Sequence, residues 1–274
     1  MKKLIIFTDL DGTLLDFSTY SFDAALPALQ LLKKQDIPLI ICSSKTRKEI
    51  EYYREKLNNE HPFISENGGG IFIPKSYFRF QLSGHNLRIE DEQDYTIIKL
   101  GVSYKDLRGA LQELRKEGFD VKGFGDMTVQ EVAEIANMSL KEAEMAKERD
   151  FDEPFILRDN EKESQRLFGA VKAKGFNYTQ GRFLHILGDS DKGKAVSILI
   201  DLYKRKSGEV RTVAIGDSPN DIPMLERVDY PVIVKKSDGN HDFRINIPNL
   251  IKADGIGPEG WNKAVLELSK EYLS

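Results

Sequence analysis

Short apolar runs separated by stretches of helical periodicity recur at both ends of the sequence, and few folds accommodate that alternation. The runs at 4–8, 38–42, 210–215 and 232–234 are short and mostly apolar, and they read as strands of a buried sheet. Between them, 24–34, 46–57, 192–206 and 222–228 read as helices, the first carrying Leu26, Leu29, Leu31 and Leu32. A last helix spans 258–273. Strands alternating with helices make βαβ units, which assemble into a doubly wound, Rossmann-like α/β core with a mostly parallel sheet.

Between about 85 and 187 the texture changes. YTIIKLG (95–101) reads as a strand and 104–117 as a charged surface helix. Ser139 and Glu142 have the spacing of a capping box, opening a helix to about 149. PFILR (154–158), a helix at 161–174, and the pair NYTQ and RFLHIL complete an α+β segment of antiparallel flavour. The expected organisation is a core of residues 1–84 and 188–274 with an inserted α+β cap at 85–187.

A length of 274 residues is enough to bury a core and carry such an insertion. Forty Lys and Arg against 44 Asp and Glu leave a net charge of −4, so no global field recruits nucleic acid or an anionic membrane. The helix at 104–117 interleaves Asp106, Glu113 and Glu117 with its bases, unlike a nucleic-acid stripe. An anionic ligand must therefore be caught by local groups. Cys42 is the only cysteine, which excludes a disulfide framework and a thiolate metal cluster. The apolar run of MKKLIIF stops at Phe7, short of an export signal, and no run reaches the ~18 apolar residues of a membrane span. The expectation is a cytoplasmic protein with neither nucleic-acid nor membrane partner.

The chemistry sits where the strands stop. In TDLDGT, Asp9 and Asp11 emerge on one side of an extended chain, roughly 7 Å apart, and repel unless a cation lies between them. Ser43 and Ser44 follow the second strand, Gly216-Asp217-Ser-Pro-Asn220-Asp221 follows a later one, and Lys192 opens a helix in DKGK. Ligands of open parallel sheets bind outside the carboxyl ends of the strands, so these groups should converge. Asp9, Asp11, Asp217 and Asp221 offer hard oxygen ligands for Mg²⁺, which invites a phosphate. One aspartate can then attack phosphorus while the second serves as general acid and base. Lys192 and Ser43 suit the equatorial phosphoryl oxygens.

DLDGT, a serine after the second strand, the lysine of DKGK and GDSPND, in that order, resemble the haloacid dehalogenase superfamily of phosphohydrolases. The insertion is similar to the α/β cap of its Cof-like subgroup. SSKTR (43–47), ISENGGGIFIP (64–74), QGRFLH (180–185), GDSPNDIPMLE (216–226) and GPEGW (257–261) narrow the resemblance to the mannosyl-3-phosphoglycerate phosphatase family. That resemblance implies hydrolysis of a phosphorylated glycosylglycerate, with Asp9 as nucleophile, Asp11 as acid/base, and Ser43 and Lys192 as phosphate binders. It also implies Mg²⁺ held by Asp9, the backbone carbonyl of Asp11 and Asp217, with Asp221 supporting or ligating. Where many Cof-like relatives read Thr-Gly-Arg, this chain reads Ser43-Ser44-Lys45, exchanging a guanidinium fork for a point charge.

For substrate contacts the expectation names Ser44, Lys45 and Arg182, the last being the leading cap arginine ahead of Arg158 and Arg166. ENGGG (66–70) has two readings: a loop whose glycines supply positive φ, or a cleft wall in which Glu66, Asn67 and Gly68 touch the organic part of the substrate. His185, Cys42 and Trp261 read as packing residues. A phosphosugar mutase and a non-catalytic phospho-receiver remain as rivals. The second aspartate of D-x-D argues against the receiver, which has no need of an acid/base.

Overall fold

The computed structural model describes residues 2–82, 87–158 and 161–273. The chain opens with β1 (Lys3–Thr8), β2 (Leu39–Cys42), β3 (Phe63–Ser65) and β4 (Gly70–Pro74), then a hairpin of β5 (Arg88–Asp91) and β6 (Tyr95–Lys99). Next come β7 (Val121–Gly123), β8 (Asp152–Leu157), β9 (Asn177–Gln180) and β10 (Leu184–Leu187). The chain closes with β11 (Val210–Gly216), β12 (Tyr230–Lys235) and β13 (Ile251–Ile256). Among the described residues these form a nine-stranded sheet, β13-β12-β11-β1-β2-β3-β4-β6-β5, and a four-stranded one, β7-β8-β10-β9. From β13 to β3 neighbouring strands pair in parallel, and β4, β6 and β5 continue the sheet antiparallel.

The central strand shows why the fold is doubly wound. Leu4 and Ile6 face one apolar layer with Trp261 and Val265, whereas Ile5 and Phe7 face the other with Leu199 and Ala214. Side chains alternate faces along a strand, so a run apolar at every position needs cover on both sides. The smaller sheet has its own core, in which Leu107, Leu111 and Leu114 of the helix Tyr104–Lys116 meet Phe155 and Ile186. That helix is therefore amphipathic: one face is packed and the other solvated.

The border expected at 84/85 falls on residues 83–86, outside the described residues. Beyond it the sequence expectation is corrected. The strand at 95–99, placed in the cap from sequence, pairs with β4 in the large sheet, and β5 pairs with it in turn. Ile97 and Ile98 enter the two layers of the large core. A two-strand antiparallel hairpin added to a sheet edge has the local pattern of an α+β segment, which is why texture alone misplaced it. The helix expected at 222–228 is a 3₁₀ turn, Pro219–Asp221, running into the single turn Ile222–Leu225. A helix at Val129–Ala136 was not anticipated. The Ser139/Glu142 capping box forms, as does a second one in which Thr46 and Glu49 open the helix Arg47–Leu57. No helix among the described residues is long and apolar enough to cross a membrane.

Candidate active site

β1 lies between β2 and β11, and all three strands run the same way, so their carboxyl ends bring Asp9, Ser43 and Asp217 to one edge of the sheet. Asp9 is held from behind: Trp261 donates its indole N–H to Thr8 Oγ1 at 3.0 Å, and Thr8 donates to the Asp9 carbonyl at 2.7 Å. Gly12 at φ 76 turns the chain, and an added Cβ would sit 3.1 Å from Asp217 Oδ2. The glycine lets the D-x-D loop close against the second acidic loop.

Lys192 is the hub. Its side chain is fully buried, and Nζ donates to Asp9 Oδ1 at 2.6 Å and to Asp221 Oδ1 at 2.7 Å. Asp221 Oδ2 accepts the backbone N–H groups of Asp217 and Ser218 at 3.0 and 3.1 Å. Both oxygens of Asp221 thus have protein donors, and the residue organises its own turn and the lysine. Gly216 permits this, since a Cβ there would meet Asp221 Cγ at 2.5 Å. Gly68 serves the same hub from the other side. It sits at φ 91 and passes so close to residue 191 that a Cβ would fall 2.1 Å from the Asp191 carbonyl oxygen. Asp191 itself caps the helix Lys192–Ser207 by accepting the Lys194 N–H at 2.7 Å.

Asp9, Asp217 and Asp221 each offer a carboxylate oxygen, and these oxygens lie within 4.8 Å of one another. Burial first, and then the Asp221 charge, push the Asp217 carboxyl up to about 7. Burial likewise raises Asp9 well above its ordinary value, against the pull of Lys192. Hard oxygens crowded this way, with one ammonium among them, fit Mg²⁺. In metal-free protein a carboxyl with a raised folded pKa favours the protonated form, so its contribution to stability is lost as pH rises through about 7. Binding of the ion must displace that proton. Mg²⁺ is therefore expected to raise Tm, at concentrations that fall as pH goes from about 6 to about 8. Thermal melts across a Mg²⁺ and pH grid check this, and a pH-independent Mg²⁺ effect contradicts it.

Asp11 stands apart from that trio. Its Oδ2 pairs with Lys45 Nζ at 3.1 Å, while Oδ1 is buried with no hydrogen-bond partner. Lys45 is buried: Nζ also reaches Glu49 Oε1 at 3.2 Å and lies 5.0 Å from the Tyr20 ring centroid. Ser43 is buried, and its Oγ accepts the Lys45 N–H at 3.3 Å.

A cleft of about 320 Å³ opens over the cluster, lined by Asp9, Asp11, Ser44 and Asp217 and, from the smaller-sheet unit, by Gly181 and Arg182. The structure therefore brings Ser44 and Arg182 to the cleft. The cleft-lining expectation for Glu66 is corrected. Its carboxylate is completely buried and accepts the backbone N–H groups of Asp150, Phe151 and Asp152 at 2.8–3.1 Å. Glu66 and Asn67 take left-handed backbones, φ 48 and 53, so non-glycine residues also supply positive φ in this loop. Asn67 bridges Asp152 at 2.7 Å and Asn220 at 3.2 Å, and Gly68 is a packing residue. Glu66 and Asn67 tie the strand entering the smaller sheet to the core.

His185 hydrogen-bonds Asp152 at 2.9 Å as a satisfied buried histidine. Lys236, Asn220 and Phe17 also line the cleft and were not singled out from sequence. Lys236 directly follows the end of parallel β12, so the strand-end rule that found Asp217 could have found it.

A parallel sheet with these acids and this lysine at its strand ends defines a class of hydrolase. Residues 6–241 match the haloacid dehalogenase-like hydrolases, and the chain belongs to that family. The chain is 48% identical over 268 residues to a glucosyl-3-phosphoglycerate/mannosyl-3-phosphoglycerate phosphatase of Methanococcoides burtonii, with 97% of each chain covered. It is 44% identical over 271 residues to one of the same name from Persephonella marina, with 98% of each covered. To the mannosyl-3-phosphoglycerate phosphatase of Pyrococcus furiosus it is 39% identical over 247 residues, covering 90% of this chain and 96% of the relative. Within the hydrolases, the chain belongs to this narrower phosphatase family. The fold matches a Thermoplasma acidophilum structure at TM-score 0.70 and 17% identity, covering 98% of this chain and 99% of that one. A haloalkanoate-superfamily phosphatase from Bacteroides thetaiotaomicron gives 0.67 at 18% identity, covering 100% and 96%.

Proposed function

We propose that the protein hydrolyses the phosphomonoester of a glycosyl-3-phosphoglycerate, mannosyl or glucosyl, to the glycosylglycerate and phosphate. The observation that carries the reading is the buried Lys192 bridging Asp9 and Asp221, with Asp9, Asp11 and Asp217 lining one cleft. Near identity in length to the relatives named for these substrates supports the choice of ester.

Lys192 occupies Asp9 Oδ1, so the attack is assigned to Oδ2. That oxygen attacks phosphorus, the bond to the glycerate oxygen breaks, and Asp11 in its acid form gives its proton to the leaving oxygen. Asp11, now a carboxylate, takes a proton from water as the water attacks phosphorus. The bond to Asp9 breaks, phosphate leaves, and the Asp9 carboxylate is restored. The unpartnered Oδ1 of Asp11 is the oxygen available for both transfers. Ser43 accepts from the chain and keeps its own hydrogen for a phosphoryl oxygen, and Lys192 neutralises charge there. Asp9, Asp217 and the backbone carbonyl of Asp11 would hold Mg²⁺, with Asp221 supporting. When bound, Mg²⁺ offsets repulsion between carboxylates and phosphate.

The unit from about residue 100 to 187 serves as the cap, and its contribution to the cleft excludes water around the ester. A reducing, cytoplasmic location fits the single buried Cys42, whose thiol burial pushes up. The test is phosphate release with Mg²⁺ across mannosyl-3-phosphoglycerate, glucosyl-3-phosphoglycerate, sucrose 6-phosphate and hexose phosphates. The two phosphoglycerates are expected to lead by at least about a hundredfold in kcat/KM, the scale of discrimination that unpaired polar groups impose on a poorly matched substrate. Preference for simple hexose phosphates would sink the substrate assignment.

A further inference from the structure

We propose that Phe17 and Arg182, held in place by Tyr20, form the subsite for the leaving group, with Arg182 taking the glycerate carboxylate and Phe17 the sugar ring. This rests on the function proposed above and says which residues would make it specific.

The turn after the D-x-D loop is built to hold a shape. Asp16 Oδ1 accepts the backbone N–H groups of Ser18 and Thr19 at 3.0 and 2.8 Å and the Thr19 hydroxyl at 2.9 Å. Asp16 and Ser21 close the turn through a backbone hydrogen bond of 2.8 Å. Tyr20 inside it adopts φ 55, a left-handed backbone that is unfavourable for a bulky residue and persists because the turn holds it. The turn places the Phe17 ring at the cleft and the Tyr20 ring against Lys45. Phe17 is 40% exposed although large and apolar, and it lines the same cleft as Asp9 and Asp11. Ile256, 39% exposed, lines that cleft as well.

Arg182 comes to these rings from the other unit. Its guanidinium carbon lies 5.0 Å from the Phe17 ring centroid, and Nη1 donates to Tyr20 Oη at 3.2 Å. A guanidinium has five N–H donors in a planar fork, so the bond to Tyr20 leaves donors for a carboxylate. Tyr20 also stands over Lys45, the partner of Asp11. The path from the acid to the arginine is thus Asp11, Lys45, Tyr20, Arg182, which links the arginine to the group assigned to protonate the departing oxygen. In a 3-phosphoglycerate glycosylated on its neighbouring carbon, the carboxylate and sugar both hang within a few bonds of that oxygen. Their chemistry, one anion and one ring with an apolar C–H face, matches a guanidinium beside a half-exposed phenyl ring.

The experiment compares kcat/KM for three esters: mannosyl-3-phosphoglycerate, with sugar and carboxylate; 3-phosphoglycerate, with carboxylate only; and glycerol 3-phosphate, with neither. Phe17→Ala is expected to lower the first-to-second ratio about tenfold, with Phe17→Tyr restoring it, on the scale of removing an aromatic ring from a binding site. Arg182→Met is expected to lower the second-to-third ratio by about ten- to a hundredfold, the scale of a charge-assisted hydrogen bond, with Arg182→Lys in between. Losses equal on all three esters would reduce both residues to scaffolding and overturn the subsite. Unchanged ratios would overturn it too. A wild type that releases no phosphate from the glycosylated ester overturns the functional reading itself, and the subsite with it.

Discussion

Asp9→Asn is expected to lower kcat by about four orders of magnitude or more, the scale seen when a nucleophile is removed from a catalytic set. Asparagine keeps the shape and the bond to Lys192 but removes the anionic oxygen that would meet phosphorus. The variant should fold at least as well as the wild type. Burial and three neighbouring carboxylates hold the Asp9 carboxyl well above its ordinary value, so its charge is a cost to the metal-free protein near neutral pH. Lys192 keeps Asp221 as an ionic partner. A Tm equal to or above that of wild type, with activity gone, separates loss of chemistry from loss of fold. Residual kcat within about tenfold of wild type would remove Asp9 from its assigned role.

Lys192→Met is expected to fail on both counts. The ammonium is fully buried between two carboxylates, and removing one partner of a buried ionic set costs about 3–5 kcal/mol. Burial alone would depress this lysine, but Asp221 and Asp9 outweigh it and hold the amine well above its ordinary value. A raised folded pKa gives stability that is present below the unfolded value and lost only as pH rises through the folded one, so the contribution is intact throughout the neutral range. The activity loss is expected to be about a thousandfold, the size of an electrostatic contribution to the transition state. Mg²⁺ should recover part of the lost Tm, because a second cation can offset the same acids. Denaturant melts with and without Mg²⁺, alongside turnover, check both parts. Unchanged stability would mean that the acids do not depend on this lysine.

What was legible in the sequence was whatever strand geometry fixes. A strand end points its last residues at the edge of the sheet, so TDLDGT, the Ser43-Ser44 pair and GDSPND announced a common site by themselves. Lys192 could be added because helices in such sheets start at the same edge. Roles that depend on which side chain reaches which were not legible. That Lys45 packs against Asp11, Glu49 and two tyrosine rings is a set of partners its place after the second strand does not announce. Glu66 looked like a cleft residue and instead accepts three backbone amides, because nothing in ENGGG signals that residues 150–152 pack on it. Phe17 and Tyr20 escaped notice because a turn that presents aromatic rings has no periodicity. The hairpin of β5 and β6 went to the wrong unit since edge pairing is a long-range choice that local texture does not record.

The most direct test of the account is a rapid acid quench of the enzyme turning over ³²P-labelled mannosyl-3-phosphoglycerate with Mg²⁺, followed by peptide mapping. Acid-stable, hydroxylamine-labile label is expected on the peptide carrying Asp9 and is expected to be absent in Asp9→Asn. Label on a different residue, or phosphate formed in a burst with no labelled protein at any quench time, would contradict it.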